Sequence, residues 1–331
     1  MVGGKNIVLM RSRILPIAGD ASFRKFYRHI SNENSKIIVL ATQEKYKNLI
    51  AYTSINKLLR KNNILAPKLY EHNFKEGKIV IQDFGNTSFY KVLNKSKNKF
   101  DIYKKLIILL IEIQKIKTKN QIKSVNSELH KINKYTNNFL HQESNLFFDW
   151  YLPLFLNKKK TLIIKKKAKK ILSKLYKKLN FSNSCFVHRD FHAQNLMKVG
   201  SKIGVIDTQD AVFGNPAYDL VSLIDDVRIK TSQKLKDKIY RYYLEKNLKI
   251  YRNKSNQFLE DFNILSVQRN LKIIGIFCRL FKRDNKQQYL KFIPYTWKIL
   301  DIRMKSETFS ELKKLLDKNI PKKFKNKIIK K

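Results

Sequence analysis

The sequence predicts an α+β chain of two lobes: a small one built on an antiparallel sheet, residues 1–84, and a larger, mainly helical one, residues 85–331. Three observations predict it. Up to residue 84 the apolar runs are short, rich in Ile, Val and Phe, and broken by turn residues, as in hairpins. Beyond it come longer segments with apolar residues at helical spacing. Between the two, Ile81-Gln82-Asp83-Phe84-Gly85 abandons the strand pattern and leads into a helix.

In the small lobe, Arg13 to Ala18 reads as a strand, Gly19-Asp20-Ala21-Ser22 as a turn and Phe23 to Ile30 as the returning strand. Such a turn can lay backbone N–H groups against phosphate oxygens, with Gly19 permitting close approach and Ser22 offering a hydroxyl. Arg24, Lys25 and Arg28 bring positive charge beside it. Lys36 to Thr42 is the third strand, and residues 44–61 carry helical periodicity through Leu49, Ile50, Tyr52, Ile55, Leu58 and Leu59. After Ala66-Pro67, Leu69 to His72 and Lys78 to Gln82 pair as a hairpin closed by Lys75-Glu76-Gly77. Gln82 and Asp83 then form the hinge between lobes.

In the large lobe, Asp101 to Ile116 is apolar nearly all round, which predicts burial on all sides; it is too short and too flanked by charge to cross a bilayer. The stretch from Tyr135 to Tyr151 sets aromatic rings beside two carboxylates, Glu143 and Asp149, an arrangement that suits a sugar, whose C–H faces stack on rings while an acid takes its hydroxyls. Core packing accounts for most of those rings equally well. Lys158 to Lys178 reads as a solvated amphipathic helix and is the best candidate for a basic patch. Leu220 to Arg228 and Phe262 to Phe281 follow as helices, and the lysine-rich tail from Pro321 is expected to fray.

Chemistry concentrates in residues 185–210. A short apolar run reaches His188-Arg189-Asp190, Asn195 stands five positions after Asp190, and Leu196 to Val199 and Lys202 to Ile206 read as two strands turning at Gly200-Ser201. The hairpin should carry Asp207 back toward Asn195. Phosphoryl transfer needs such a set, because the protein must position a hydroxyl and neutralise phosphate charge rather than form bonds itself. Asp190 can accept the attacking hydroxyl's proton. Asn195 and Asp207 offer hard oxygens for Mg2+, and Asp210 can support them. Asp and Asn are also common turn residues for local reasons, but His-Arg-Asp-x-x-x-x-Asn followed by a strand-borne Asp is the kinase catalytic-loop pattern. His192 either binds a phosphate or braces the loop. Asp219, just inside a helix start near Pro216, can accept backbone N–H bonds and hold the loop, a structural role. Only about a dozen residues separate Asp207 from Asp219, too few for a peptide-binding activation segment, so the substrate should be small.

The formal net charge of +44 on 331 residues invites a nucleic-acid reading. Its distribution argues against one: Lys far outnumbers Arg and is spread through nearly every segment instead of forming a stripe with interleaved aromatics, as expected of AT-rich coding. The two cysteines, Cys185 and Cys278, sit in apolar stretches and read as buried free thiols in a reducing compartment. No secretory signal or run of eighteen apolar residues is present in this sequence, so a soluble, cytoplasmic protein is expected, without a membrane partner.

The run His188-Arg-Asp-Phe-His-Ala-Gln-Asn195 with Ile206-Asp-Thr-Gln-Asp210 resembles the aminoglycoside phosphotransferase and choline kinase superfamily, whose fold is protein-kinase-like. Ala18-Gly-Asp-Ala-Ser-Phe-Arg24, Leu146-Phe-Phe-Asp-Trp-Tyr151, Gln209 to Ser222 and Gln268 to Phe277 are similar to the branch of bacterial kinases that act on the anomeric hydroxyl of N-acetylmuramate and N-acetylglucosamine in cell-wall recycling. The likeness spans roughly residues 13 to 300. It implies ATP with adenine against the hinge backbone, Mg2+, an amino-sugar acceptor, and a sugar 1-phosphate that a nucleotidyltransferase would consume. A third-strand Lys for the ATP phosphates is missing: the strand reads Val39-Leu40-Ala41-Thr42. Arg24, Lys25, Arg28, Lys45 and Lys47 remain candidates for that charge. A kinase of the same fold for choline, homoserine or an aminoglycoside is the alternative, with a non-catalytic nucleic-acid binder behind it.

Overall fold

A computed structural model describes residues 12–17, 24–31, 34–41 and 47–326. The strands are β1 (Ser12–Ile17), β2 (Lys25–Ser31), β3 (Asn34–Leu40), β4 (Leu69–Asn73), β5 (Lys78–Gln82), β6 (Gln121–Lys123), β7 (Leu129–Lys131), β8 (Cys185–Val187), β9 (Leu196–Val199), β10 (Lys202–Val205) and β11 (Val212–Gly214). The helices are α1 (Lys47–Lys61), α2 (Phe89–Lys95), α3 (Lys99–Gln114), α4 (Asn137–Leu146), α5 (Lys158–Lys177), α6 (Ala217–Ile224), α7 (Gln233–Lys246), α8 (Leu248–Tyr251), α9 (Ser255–Asp284), α10 (Ile293–Arg303), α11 (Ser310–Asn319) and α12 (Lys322–Asn326). They form two compact units. Residues 1–88, 118–131 and 196–210 make the first; 89–117, 132–195 and 211–331 make the second. The first break thus falls at Ser88, four residues past the expected one, and two later stretches of chain return to the first unit.

The first unit is an antiparallel five-stranded sheet in the order β1-β2-β3-β5-β4 with α1 against it. Period-two alternation puts Ile37 and Val39 of β3 and Ile79 and Ile81 of β5 into one core with Leu49, Ile50 and Tyr52 of α1. Gly77 closes the β4–β5 hairpin at φ +66°, and a Cβ there would stand 2.5 Å from the Ala41 carbonyl oxygen. Only glycine fits that turn. The β9–β10 hairpin turns at Gly200 and pairs Leu196 with Val205. It is fastened to the unit by Lys198 N–H to the Thr87 carbonyl and Val205 N–H to the Leu65 carbonyl, both 2.8 Å.

The second unit is helical. Its α3 buries Tyr103, Leu106, Ile107, Leu110 and Ile113, but Ile108 is exposed, so the helix is covered on one broad face rather than all round. The longest element, α9, has 30 residues and outruns the apolar stretch that predicts it; its interior buries Gln268, Arg269, Asn270 and Lys272 among apolar neighbours. Asn285 ends it in the left-handed conformation, φ 58°. At Gly275 its backbone comes so close to α4 that a Cβ would lie 2.3 Å from the Leu146 carbonyl carbon. There α4 gives way to a turn of π-helix, Phe147–Tyr151, an irregularity common at functional sites. Gly275→Ala should therefore destabilise the protein by about 2 kcal/mol or more, the scale of overpacking; a urea midpoint within error of the parent would show that the helices can part without cost.

The tail is not frayed where it is described. α12 packs down, with Phe324 stacked on Phe155 at 4.2 Å, the Phe324 carbonyl accepting from Tyr151 Oη at 3.1 Å, and Lys325 on Asp317 at 2.7 Å. Among the described residues no helix is long and apolar enough to cross a membrane, and Cys185 and Cys278 are both free thiols.

Candidate active site

In the second unit the His188–Asn195 loop leaves β8, which pairs with β11, and ends in a 3-10 turn, Ala193–Asn195. Arg189, just before Asp190, has φ +74°, a strained value for a side chain with a Cβ, which persists only where surrounding contacts enforce it. Three do. Its N–H donates to Asp219 Oδ1 at 3.0 Å, its carbonyl accepts from Arg269 Nη1 at 3.0 Å, and its Nη2 donates to Glu143 Oε1 at 2.6 Å. Asp219 also accepts the His188 N–H at 2.6 Å. It is wholly buried in α6, and burial pushes its carboxyl up to about 6 against the pull of His188 and these N–H groups.

Asp190 is thereby presented with its side chain 34% exposed and Oδ1 3.3 Å from Arg269 Nη1. Desolvation would raise its pKa, yet Lys272 and Arg269 hold it well below the usual carboxylate range. It is therefore ionised at any working pH. Behind the loop lies a buried polar node. Glu143 on α4 takes Arg189 on Oε1, with Lys272 Nζ 2.8 Å from the same oxygen, while Oε2 accepts from the Tyr135 hydroxyl and from Gln268 Nε2 at 3.1 Å. Burial alone would raise the carboxyl; Lys272 and Arg189 bring it down to about 2. With both oxygens filled, Glu143 holds the framework and offers no acceptor to a sugar hydroxyl. Asp149, on the π-helical turn, is 2.5 Å from Lys165. His192 is buried, its Nδ1 has no hydrogen-bond partner among the described residues, and burial with Arg228 nearby keeps the imidazole neutral. Its backbone N–H donates to the Asp190 carbonyl, which is a bracing contact. Asn195 donates Nδ2 to that same carbonyl at 3.0 Å, which orients its amide.

The first unit carries the remaining candidates. Asp207 follows β10 at φ +62°. Its Oδ1 accepts from Arg24 Nη2 at 2.9 Å and from Gln209 Nε2 at 3.0 Å, and Gln209 Nε2 also reaches Asp210 Oδ2 at 3.0 Å. Thr208 between them is tied to α1 through Asn56 Oδ1 at 2.6 Å. Arg28 does not join Arg24: it forms a two-point pair with Asp83, 2.5 and 3.0 Å, and reaches Asn86 at 2.7 Å. That pairing, opposed by burial, lowers the Asp83 pKa. Gln82, ending β5, bonds its N–H to the Lys68 carbonyl. Gly19, Ser22 and Lys45 lie outside the described residues.

Among the described residues no three His, Cys, Asp or Glu side chains converge as a metal cluster. Mg2+ asks for less, one or two carboxylates with waters and phosphate oxygens. Within the first unit, Asp207 and Asp210, bridged by the Gln209 amide, are hard oxygen donors of that type, so these two residues fit the ion.

Sequence reasoning missed Arg269, Lys272, Arg189 and Gln209. Arg269 and Lys272 do leave a signal: Gln268-Arg-Asn-Leu-Lys272 interrupts an otherwise apolar helix, and charged residues are almost never fully buried unless paired. They imply buried acidic partners that the sequence does not name.

A five-stranded antiparallel sheet with one helix, a helical second unit and a His-Arg-Asp loop followed by an Asp just past a hairpin strand define the phosphotransferase class. The chain belongs to the phosphotransferase enzyme family, which matches residues 13–252. It is 28% identical over 284 residues to N-acetylmuramate/N-acetylglucosamine kinase of Neisseria meningitidis, covering 84% of this chain and 81% of that one. To the kinase of the same name from Pseudomonas aeruginosa it is 26% identical over 293 residues, covering 88% and 83%. Among solved structures, the fold is shared with a spectinomycin phosphotransferase in complex with ADP and spectinomycin (TM-score 0.60, 16% identity, 89% and 93% covered) and with a choline kinase from Streptococcus pneumoniae (TM-score 0.60, 13% identity, 88% and 93% covered).

Proposed function

We propose that this phosphotransferase is a cytoplasmic, ATP-dependent kinase of amino sugars that phosphorylates the anomeric C1 hydroxyl of N-acetylmuramate and N-acetylglucosamine in peptidoglycan recycling. The observation that carries the reading is how the two carboxylates of residues 135–151 are matched. Glu143 is neutralised by Arg189 and Lys272, and Asp149 is paired with Lys165. The two carboxylates that could have drawn a cationic acceptor such as choline or an aminoglycoside are thus both matched by cations. A neutral or anionic hydroxyl compound suits such surroundings better, and the curated relatives bear the name of kinases for just such sugars.

In this mechanism Asp190 accepts a hydrogen bond from the C1 hydroxyl and aims its oxygen along the line of transfer. A carboxylate held so far below its usual range is a weak base. It takes the proton late, once bond formation to phosphorus has made the hydroxyl acidic. Asn195, Asp207 and Asp210 would hold Mg2+, which supplies charge neutralisation on the phosphate oxygens. Arg24 holds Asp207 at 2.9 Å. The product, a sugar 1-phosphate, is a substrate for the nucleotidyltransferase class.

ATP consumption with Mg2+ is measured against N-acetylmuramate, N-acetylglucosamine, glucose, choline and an aminoglycoside, with phosphorus NMR on any product. The N-acetylated sugars should turn over to a C1 phosphate. Turnover of choline or the aminoglycoside alone would overturn the acceptor assignment and leave the phosphotransferase intact.

A further inference from the structure

The kinase reading leaves one surface unused. α5 carries ten lysines in 20 residues and no acid. Other exposed helices mix their signs: α7 sets Asp237 and Glu245 among its bases, and α11 sets Glu311 and Asp317 among its own. General lysine enrichment therefore does not account for α5. Its inward face is ordinary, with Thr161, Ile164, Ala168, Leu172, Leu175 and Tyr176 buried. Its outward face is not. Leu162 and Ile163 are 56% and 48% exposed, although buried positions stand directly beside them at 161 and 164. On a helix the surface neighbours of a residue lie three and four positions away. For Leu162 these are 158, 159, 165 and 166, for Ile163 they are 159, 160, 166 and 167, and all six positions are lysine. Two aliphatic side chains are thus exposed between three lysines on the preceding turn and three on the following one, of which Lys165 is paired with Asp149.

We propose that this face of α5 docks on an anionic lipid bilayer, with Leu162 and Ile163 entering the headgroup boundary and the surrounding lysines meeting lipid phosphates. Long lysine stems let the charge stay at headgroup level while the helix settles against the surface, and basic clusters near an anionic leaflet are attracted through the surface potential. A nucleic acid fits less well. The face offers no aromatic ring to stack on a base and no arginine to fork onto a phosphate, and the exposed aliphatic pair would gain nothing on a phosphate backbone.

The test uses the full chain and co-sedimentation with vesicles of phosphatidylcholine alone or mixed with phosphatidylglycerol. Because +44 of net charge would draw any part of this protein to an anionic surface, two variants of equal charge are compared. The first replaces Lys159, Lys160, Lys166 and Lys167 by Gln on α5; the second replaces the exposed Lys234, Lys238, Lys246 and Lys314 by Gln on α7 and α11. Binding to the mixed vesicles should fall at least about tenfold in the first and less than about twofold in the second. Leu162→Ser with Ile163→Ser should remove the binding that survives in high salt, where the electrostatic share is screened. Kinase turnover should be unchanged in all three. Equal losses in the two lysine variants would overturn the proposal in favour of diffuse charge. So would an unaltered serine variant, or loss of RNA binding with vesicle binding retained in the α5 variant.

Discussion

Asp190→Asn should lower turnover on order of 10³-fold, within the range that a positioned acid–base group contributes, while leaving nucleotide affinity within about threefold. The reason lies in what surrounds the side chain. Asp190 is 34% exposed and its Oδ1 sits on Arg269, itself only 4% exposed; asparagine is the same shape and keeps an oxygen for that guanidinium. The loop is fixed by backbone bonds from Asp219 and Arg269 to residues 188 and 189, none of which involves the Asp190 side chain. The substitution therefore removes the negative charge of this side chain and leaves the loop's backbone fixings in place. Isothermal titration with a nucleotide analogue and steady-state turnover separate the two effects. A variant that keeps parental turnover would take Asp190 out of the chemistry, and one that loses nucleotide binding along with turnover would mean that the loop had shifted.

What is legible in the sequence depends on the range of the contacts. The strands and helices of the first 84 residues follow local alternation and turn chemistry, so β4, β5 and α1 fall within a few residues of their expected bounds. The catalytic loop and its hairpin are also local, because Asp190, Asn195 and Asp207 are spaced by one turn and one hairpin. The support behind the loop is not. Glu143 meets Arg189 across 46 positions and Gln268 across 125, and no periodicity says which buried acid a buried base will find. Glu143 accordingly reads from sequence as a pocket acid beside aromatics, and in the fold it turns inward. Arg28 illustrates the same limit: proximity to the Gly19 turn groups it with Arg24, yet strand pairing across the sheet leaves it beside Asp83, 55 positions away. Likewise α12 reads as a lysine tail because the aromatic partners that dock it, Phe155 and Tyr151, lie far upstream.

The inward Glu143 leads to the second large effect. Glu143→Leu should cost about 3 to 5 kcal/mol of stability, the scale for removing one partner of a buried ion pair, because Arg189 and Lys272 would be left facing each other in a desolvated site. Turnover should fall too, since Arg189 loses the side-chain anchor of its left-handed backbone. A sugar-binding acid predicts something different: a higher KM for the acceptor with an unchanged unfolding midpoint. The pH dependence separates them further. The folded carboxyl lies at about 2, below its ordinary 4.5, so its stabilisation is present above about 4.5 and is lost as pH falls toward 2; the variant should lack that slope. Adding Lys272→Met to Glu143→Leu removes the stranded ammonium and should return part of the lost stability, as apolar replacements of whole buried ion pairs often do. A double variant less stable than Glu143→Leu would mean that Lys272 is held chiefly by Asp190 and the Tyr218 hydroxyl, 3.5 Å from its Nζ, and that the node is organised around the lysine.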